Sequence, residues 1–404
     1  MKKQRIYITG IGLVTSLGIG VEENWISLAN GVSGIGMVSN FDVSECETKY
    51  AFEVDGQLEE KANDIIQKRT RKQITRVTEM ALVATDEAIR NSKIEREIIE
   101  SRRIAVILGV ITTGYNKDTD SKHNFIVKTM PNAPSAWISL IYGFHGPNMN
   151  VSTACASSAY AIAYGYQLIQ LDQADIVVVG GCDSHISREY FDGFNQIMAM
   201  STSNDNYSEV MCPFSKTRDG FIMGEGAGII ILESEQSATK RGATIYADML
   251  GYALTSEAYN ITAPQKKGDG MYITMRDALI NAGVEPSAVD YINAHGTSTQ
   301  LNDEYETMAI KRCFPDNCYK LSVSSTKSMI GHTFAAAGAI ESIVTILSIK
   351  EGLITPTINY KVADEALDLD YTANTSRKKD VKVAISNSFG FGGHNASLVF
   401  GKHQ

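Results

Sequence analysis

Long apolar runs are missing from this 404-residue chain. No stretch reaches the ~18 consecutive apolar residues that a membrane-spanning helix needs. The opening "MKKQRIYITGIGLVTSLGIG" pairs a basic start with apolar residues, yet it lacks a small-residue cleavage pattern and its glycines interrupt the run. It reads as a first strand and turn, and the protein as cytoplasmic. Cysteine is also scarce: six residues are too few for a disulfide framework. Cys313 and Cys318 sit five apart without a second pair or a histidine cluster nearby, so they read as packing and no metal is expected. An excess of positive charge is absent as well. The formal net charge is −9, which excludes a general nucleic-acid binder. Nor is there a Pro/Ser/Gly linker or a low-complexity segment. With 44% hydrophobic and 21% charged residues, the composition is that of a soluble globular protein.

What is present is a chain that repeats itself. "IAVILGVITTG" from Ile104 is echoed by "VDYINAHGTST" from Val289. "NVSTACASSAYAIAYGYQLIQ" from Asn150 is echoed by "LSVSSTKSMIGHTFAAAGAIESIVTILSIK" from Leu321. "ADIVVVGGCDSHIS" from Ala174 pairs with "VKVAISNSFGFGGHNASLVF" from Val381. The order is the same each time, which indicates an internal duplication of a βαβ-type unit. "DIVVVGG" and "GIIILES" are continuous β-branched runs suited to a sheet covered on both faces. The Ala-rich helices carry small or apolar residues nearly all round and should be buried. The expectation is an α/β fold in five layers, αβαβα, with two pseudo-twofold halves at 1–244 and 245–404. Segments 112–150 and 183–225 are insertions placed around a site or at a subunit contact.

Cys155, in "VSTACASSAY", lies at a strand-to-helix turn. Unpaired N–H groups there would lower its pKa and could also hold an oxyanion. Taken alone it fits a buried core cysteine better. His295 in "NAHGTST" and His332 in "KSMIGHTFAAAG" change the balance, because the duplication would bring the starts of the two central helices together with His332 facing Cys155. Lys327 lies five residues before His332 and Glu341 nine after it, both within an apolar stretch. A lysine there would hold a histidine neutral and oriented, and a carboxylate would hold the lysine. Asp303 and Glu304 follow the "HGTST" loop, in a solvated or a supporting role. "NSFGFGGHN" combines glycines that allow close backbone approach with Phe389 and Phe391, aromatic groups able to swing. No Lys-Ser/Thr follows, so it is not a P-loop.

Together, "TACASSA", "NAHGTSTQLND", "TKSMIGHTFAAAGAIES" and "NSFGFGGHN", with "PFSKTRDGFIMGEGAGIIILE" at 213–233, resemble the elongating β-ketoacyl-[acyl-carrier-protein] synthases of the Cys-His-His type. The resemblance covers nearly the whole chain and implies the thiolase-like fold. It implies that Cys155 takes an acyl chain from the phosphopantetheine arm of an acyl carrier protein. The thioester oxygen would be held by the N–H groups of Cys155 and Phe391. His295 and His332 would bind the carbonyl of a malonyl-carrier thioester and stabilise the enolate left when CO2 departs. Lys327 would position His332 with Glu341 behind it, and Phe391 would act as a gate. Thr297 and Thr299 would contact the pantetheine arm. No cofactor is implied beyond the carrier's own arm. The basic run "QKRTRKQITR" offers Lys68, Arg69, Arg71, Lys72 and Arg76, either as a solvated face or as a dock for the acidic carrier.

Related chemistries fit less well. A degradative thiolase would carry a second cysteine in "FGFGGHN", and an initiating synthase resembles a Cys-His-Asn set where this chain has His332. A papain-like protease needs a single Asn-oriented histidine. A non-catalytic partner subunit would lack Cys155. Two departures bear on pathway: Gln300 stands where a proline is usual, and Thr112, Thr113 and Tyr115 occupy a loop that is usually Gly-rich. "TQLNDEYET" is also similar to the catalytic subunits of type II polyketide synthases. Both a fatty-acid homodimer and a polyketide heterodimer with a chain-length-factor subunit are consistent with these residues.

Overall fold

The computed structural model describes residues 4–99, 103–115, 122–204 and 206–404. Residues 116–120 of the "GVITTGYNKDTD" loop lie outside them. Among the described residues, ten strands form one path. They are β1 (Ile6–Thr15), β2 (Ile104–Gly109), β3 (Asn148–Val151), β4 (Ile176–Asp183) and β5 (Gly226–Ser234) in the first half. The second half supplies β6 (Ala247–Ser256), β7 (Tyr291–Asn293), β8 (Ser322–Ser324), β9 (Val383–Gly390) and β10 (His394–Gly401). Their order is β3-β2-β4-β5-β1-β6-β10-β9-β7-β8. Read outward from the middle, both halves have the same order. In both, only the outer pairs are parallel: β2 with β3 and β4, β7 with β8 and β9. The halves join through two residue pairs, Tyr7 with Asp248 and Ile8 with Ala247.

Five helices define the layers: α1 (Arg76–Ser92), α2 (Ser157–Gln170), α3 (Asp269–Ala282), α4 (Gln300–Cys313) and α5 (Ala337–Glu351). α1 places Val77, Met80, Ala81, Ala84 and Ala88 at helical spacing against the outer face of the first half. Contact is so close that a Cβ on Gly12 of β1 would lie 1.9 Å from the Ala84 carbonyl oxygen. α3 and α4 cover the outer face of the second half. α2 and α5 lie in the middle, packed on strands from both halves. Every residue of α5 from Ala337 to Ile349 is buried. β5 shows why its sequence is an unbroken apolar run. Ile229 and Ile231 face the outer core, while Ile230 and Leu232 face the central helices. The result is the expected five-layered αβαβα arrangement of two pseudo-equivalent halves.

Candidate active site

The site forms where the two central helices begin. Before α2 the chain turns at Ala154, whose φ is +50. Ser157 pins this left-handed residue: its Oγ accepts the Thr153 N–H at 2.8 Å and donates to the Ala154 carbonyl at 2.6 Å. Before α5 the chain turns the same way at Phe334, with φ +47. Matching helix starts and left-handed residues pairs Cys155 with Ala335 and His332 with Ser152. His332 therefore faces Cys155 without being its duplicate counterpart. Two residues (152 and 153) separate β3 from Ala154, whereas nine (325–333) separate β8 from Phe334. Lys327 and His332 both belong to this longer connection, in which Lys327–Ile330 forms one helical turn. Pseudo-symmetry brings the helix starts together, and the longer connection supplies the histidine.

His332 Nε2 lies 3.0 Å from Cys155 Sγ. Its Nδ1 accepts the Phe334 N–H at 3.2 Å, which leaves the proton of the neutral ring on Nε2. His295 follows the end of β7. The resemblance implies that Lys327 positions His332, but its Nζ instead lies 3.3 Å from His295 Nδ1, donates to the His295 carbonyl at 2.7 Å and is paired with Glu341, so the histidine it orients is His295. An ammonium can only donate, so His295 too carries its proton on Nε2. Burial, and then the nearby Lys327 charge, hold both imidazoles well below the ordinary histidine pKa of 6.5. They are neutral Nε2–H donors aimed at one spot.

Cys155 behaves differently from the sequence expectation. It lies buried two residues before the first residue of α2, and burial pushes its thiol up to about 11. Lys327 and the N–H groups of Phe391 and Cys155 pull the other way without prevailing. Both N–H groups therefore lie beside the sulfur. Gly390 makes the approach feasible: a Cβ there would lie 3.2 Å from the Cys155 nitrogen and 3.0 Å from the Thr153 oxygen. Cys155 Sγ and the two histidines offer ligand atoms within 4.8 Å of one another. That spacing would admit a soft divalent cation. However, an Nε2 that bears the ring proton cannot ligate one.

Glu306 on α4 escaped the sequence reading, which stopped at Asp303 and Glu304. Its carboxylate accepts the N–H groups of His295 and Gly296, both at 2.9 Å, and so fixes the loop that carries His295. Burial pushes this carboxyl up to about 7. The only trace in the sequence is a carboxylate one helical turn beyond Asn302, on a face that turns out to be buried. Asp303 is buried and accepts the Phe214 N–H at 2.8 Å, tying the 213–233 segment to this helix without reaching the sulfur. Thr297 and Thr299 hydrogen-bond each other at 2.9 Å. The Phe389 ring is edge-on to His295 at 6.0 Å, and Phe391 is partly exposed in a short 3-10 turn. Beside Cys155 lies an apolar cluster that includes Ile186, Phe191, Met200, Phe221 and Phe334, drawn largely from the 183–225 insertion.

The basic run is less free than its sequence indicates. Arg71 is engaged by Glu79 at 2.7 Å and Asn63 at 2.6 Å. Arg76 pairs with the buried Glu225 at 2.6 Å. Lys68, Arg69 and Lys72 are exposed, and Lys68 and Lys72 line a cleft of about 610 Å3 together with Lys128. Cys313 and Cys318 are buried free thiols. Among the described residues, no helix is long and apolar enough to cross a membrane.

Comparison with known proteins places this geometry. Residues 3–238 match the family described as beta-ketoacyl synthase, N-terminal domain, and residues 246–361 its C-terminal domain. A 3-oxoacyl-[acyl-carrier-protein] synthase 2 of Synechocystis is 38% identical over 100% of this chain and 99% of the relative. One from Coxiella burnetii is 36% identical over the same shares. Among solved structures, the ishigamide ketosynthase/chain length factor superposes with a TM-score of 0.91 at 31% identity, covering 100% of both chains. A type II polyketide acyl carrier protein in complex with its ketosynthase bound to the hexaketide gives 0.88 at 30% identity, again over 100% of both. The duplicated sheet, the Cys-His-His cluster and full-length similarity to these proteins make one case: the chain belongs to the β-ketoacyl synthase family.

Proposed function

We propose that the protein extends an acyl chain by decarboxylative Claisen condensation on an acyl carrier protein. One observation carries this reading: two neutral Nε2–H donors and two backbone N–H groups lie around one buried cysteine. In the first half-reaction Cys155 attacks an acyl-carrier thioester. Its sulfur forms the new thioester, the pantetheine sulfur leaves with the thiol proton, and the N–H groups of Cys155 and Phe391 hold the oxyanion. A malonyl-carrier thioester then places its carbonyl oxygen between His295 and His332. Cleavage of its carboxyl–carbon bond releases CO2 and leaves an enolate whose charge the two imidazoles stabilise. The enolate carbon attacks the acyl-enzyme carbonyl, and the Cys155 thiolate departs. A proton restores the thiol. The balance needs no bound cofactor. Lys327, held by Glu341, keeps His295 in the donating tautomer. Phe391 gates the acylated sulfur, and Thr297 and Thr299 line the pantetheine path. The apolar cluster beside Cys155 receives the chain.

Lys68, Arg69 and Lys72 are the exposed cations proposed to meet the carrier. Charge reversal at Arg69 and Lys72 should raise the KM for the carrier substrate; an unchanged KM removes the patch from the account. A second subunit is proposed at β3, whose outer edge is unpaired among the described residues. Phe125, Ile126, Met130, Leu140 and Met149 are exposed in the connecting segment and on this strand. Native mass measurement, with and without a chain-length-factor subunit, distinguishes a homodimer from a heterodimer. Malonyl-carrier supplied alone tests pathway: repeated condensation without reduction assigns polyketide work, and a single condensation assigns fatty-acid work.

A further inference from the structure

The third repeated pair, "GGCDSHIS" and "SFGFGGHN", is only half used by the chemistry above. In the second half, the end of β9 presses against the Cys155 turn and provides the Phe391 N–H. Its counterpart in the first half is the end of β4, where Asp183 is fully buried. Asp183 Oδ2 accepts the Ala335 N–H at 3.0 Å, and Oδ1 accepts the Ser184 N–H at 3.0 Å. One carboxylate thus binds a backbone donor from each half. Ala335 belongs to the left-handed turn whose Phe334 N–H occupies His332 Nδ1. The Phe334 ring lies flat on the His332 ring, with centroids 4.7 Å apart at 13°. Phe334 also meets His185, 4.6 Å away, whose Nδ1 is 3.2 Å from Asp183 Oδ1. A Cβ on Gly181 would come within 2.7 Å of the Ala335 oxygen, so the strand end and the turn are in direct contact.

We propose that Asp183 is a positioning residue for the condensation step: by gripping the Phe334–Ala336 turn it holds His332 with Nδ1 accepting and Nε2–H aimed at the substrate oxygen. The inference rests on the condensation reading above. Only a carboxylate fills this place, because it accepts at both oxygens. An amide accepts at one, and its NH2 would face a backbone donor. The left-handed φ at Phe334, costly for a bulky residue, persists because the Ala335 bond and the ring stack hold it.

The test compares Asp183→Asn in two backgrounds, wild type and His332→Ala, reading acylation of Cys155 by intact mass and condensation by product formation. In the wild-type background, condensation should fall roughly 10- to 100-fold, as for other residues that orient a catalytic group from behind. Cys155 acylation should stay within about threefold, since its own oxyanion donors are untouched. In the His332→Ala background the same change should cost nothing further, because its route to the chemistry is already gone. Equal fractional loss in both backgrounds, or a parallel loss of acylation and condensation, overturns the proposal and leaves Asp183 as scaffold. So does undiminished condensation. If Asp183→Asn does not fold, Asp183→Glu decides by the same criteria, since it keeps both acceptor oxygens but displaces them by one methylene from the Ala335 N–H. Wild-type condensation by His332→Ala alone would instead defeat the parent reading, and the single variant shows that separately.

Discussion

Lys327→Met is the substitution whose outcome can be worked through furthest. Lys327 and Glu341 are fully buried and paired. Burial pushes the Glu341 carboxyl up to about 7 while the ammonium pulls it back. Methionine keeps the volume and removes that pull, so the folded variant holds Glu341 protonated through neutral and mildly alkaline pH. The unfolded chain ionises the same group near its ordinary value of about 4.3. Between those values the folded variant binds the extra proton, so its stability falls by roughly 1.4 kcal/mol for each pH unit gained. The wild type follows the same slope only below about 7. Above that, Glu341 is ionised in both folded and unfolded chains and adds no slope. The gap between the two proteins is therefore level below pH 7 and widens by roughly 1.4 kcal/mol per unit above it, adding about 2 kcal/mol by pH 8.5. Urea denaturation at pH 6, 7 and 8.5 measures this. A constant or narrowing gap refutes the account of the pair. Condensation should fall in the same variant, because His295 Nδ1 loses the donor that sets its tautomer.

Alkylation of Cys155 by iodoacetamide should accelerate about tenfold per pH unit from 7 to 10, because the thiolate is the nucleophile and burial holds the thiol up near 11; a plateau by pH 8 contradicts this. Glu306→Gln leaves one of the His295 and Gly296 N–H groups facing an NH2, so urea denaturation should register a loss of about 1–3 kcal/mol. Condensation should fall with it while Cys155 acylation survives. The imidazole NMR signals of His295 and His332 should show no titration near pH 6.5, because both rings stay neutral well below that value; a midpoint at 6.5 for either ring contradicts this.

The layers were legible because burial imposes composition. An unbroken "GIIILES" and an Ala-rich helix with every face apolar can only sit between other layers. Cys155, His295, His332 and Lys327 were legible because each is a chemical residue in an apolar setting. Glu306 and Asp183 were not. Their roles depend on which backbone N–H lies opposite, and those donors are 11 and 152 residues away in sequence. The thiol's direction of shift was misread for a related reason. Helix-end donors can be anticipated from a strand-to-helix turn, but the desolvation that outweighs them is a property of the assembled layers. The basic run was over-read because Glu79 and Glu225, which absorb Arg71 and Arg76, belong to other segments.

The central claim is that one cysteine carries the chain while two neutral histidines serve only the condensation. Intact-mass measurement of the wild type, Cys155→Ala, His295→Ala and His332→Ala after exposure to an acyl-carrier thioester, followed by malonyl-carrier, tests it most directly. The account predicts an acyl adduct on every protein except Cys155→Ala, and β-ketoacyl product at the wild-type rate from the wild type alone, with only residual product from the two histidine variants. Full condensation by any of the three variants would contradict it.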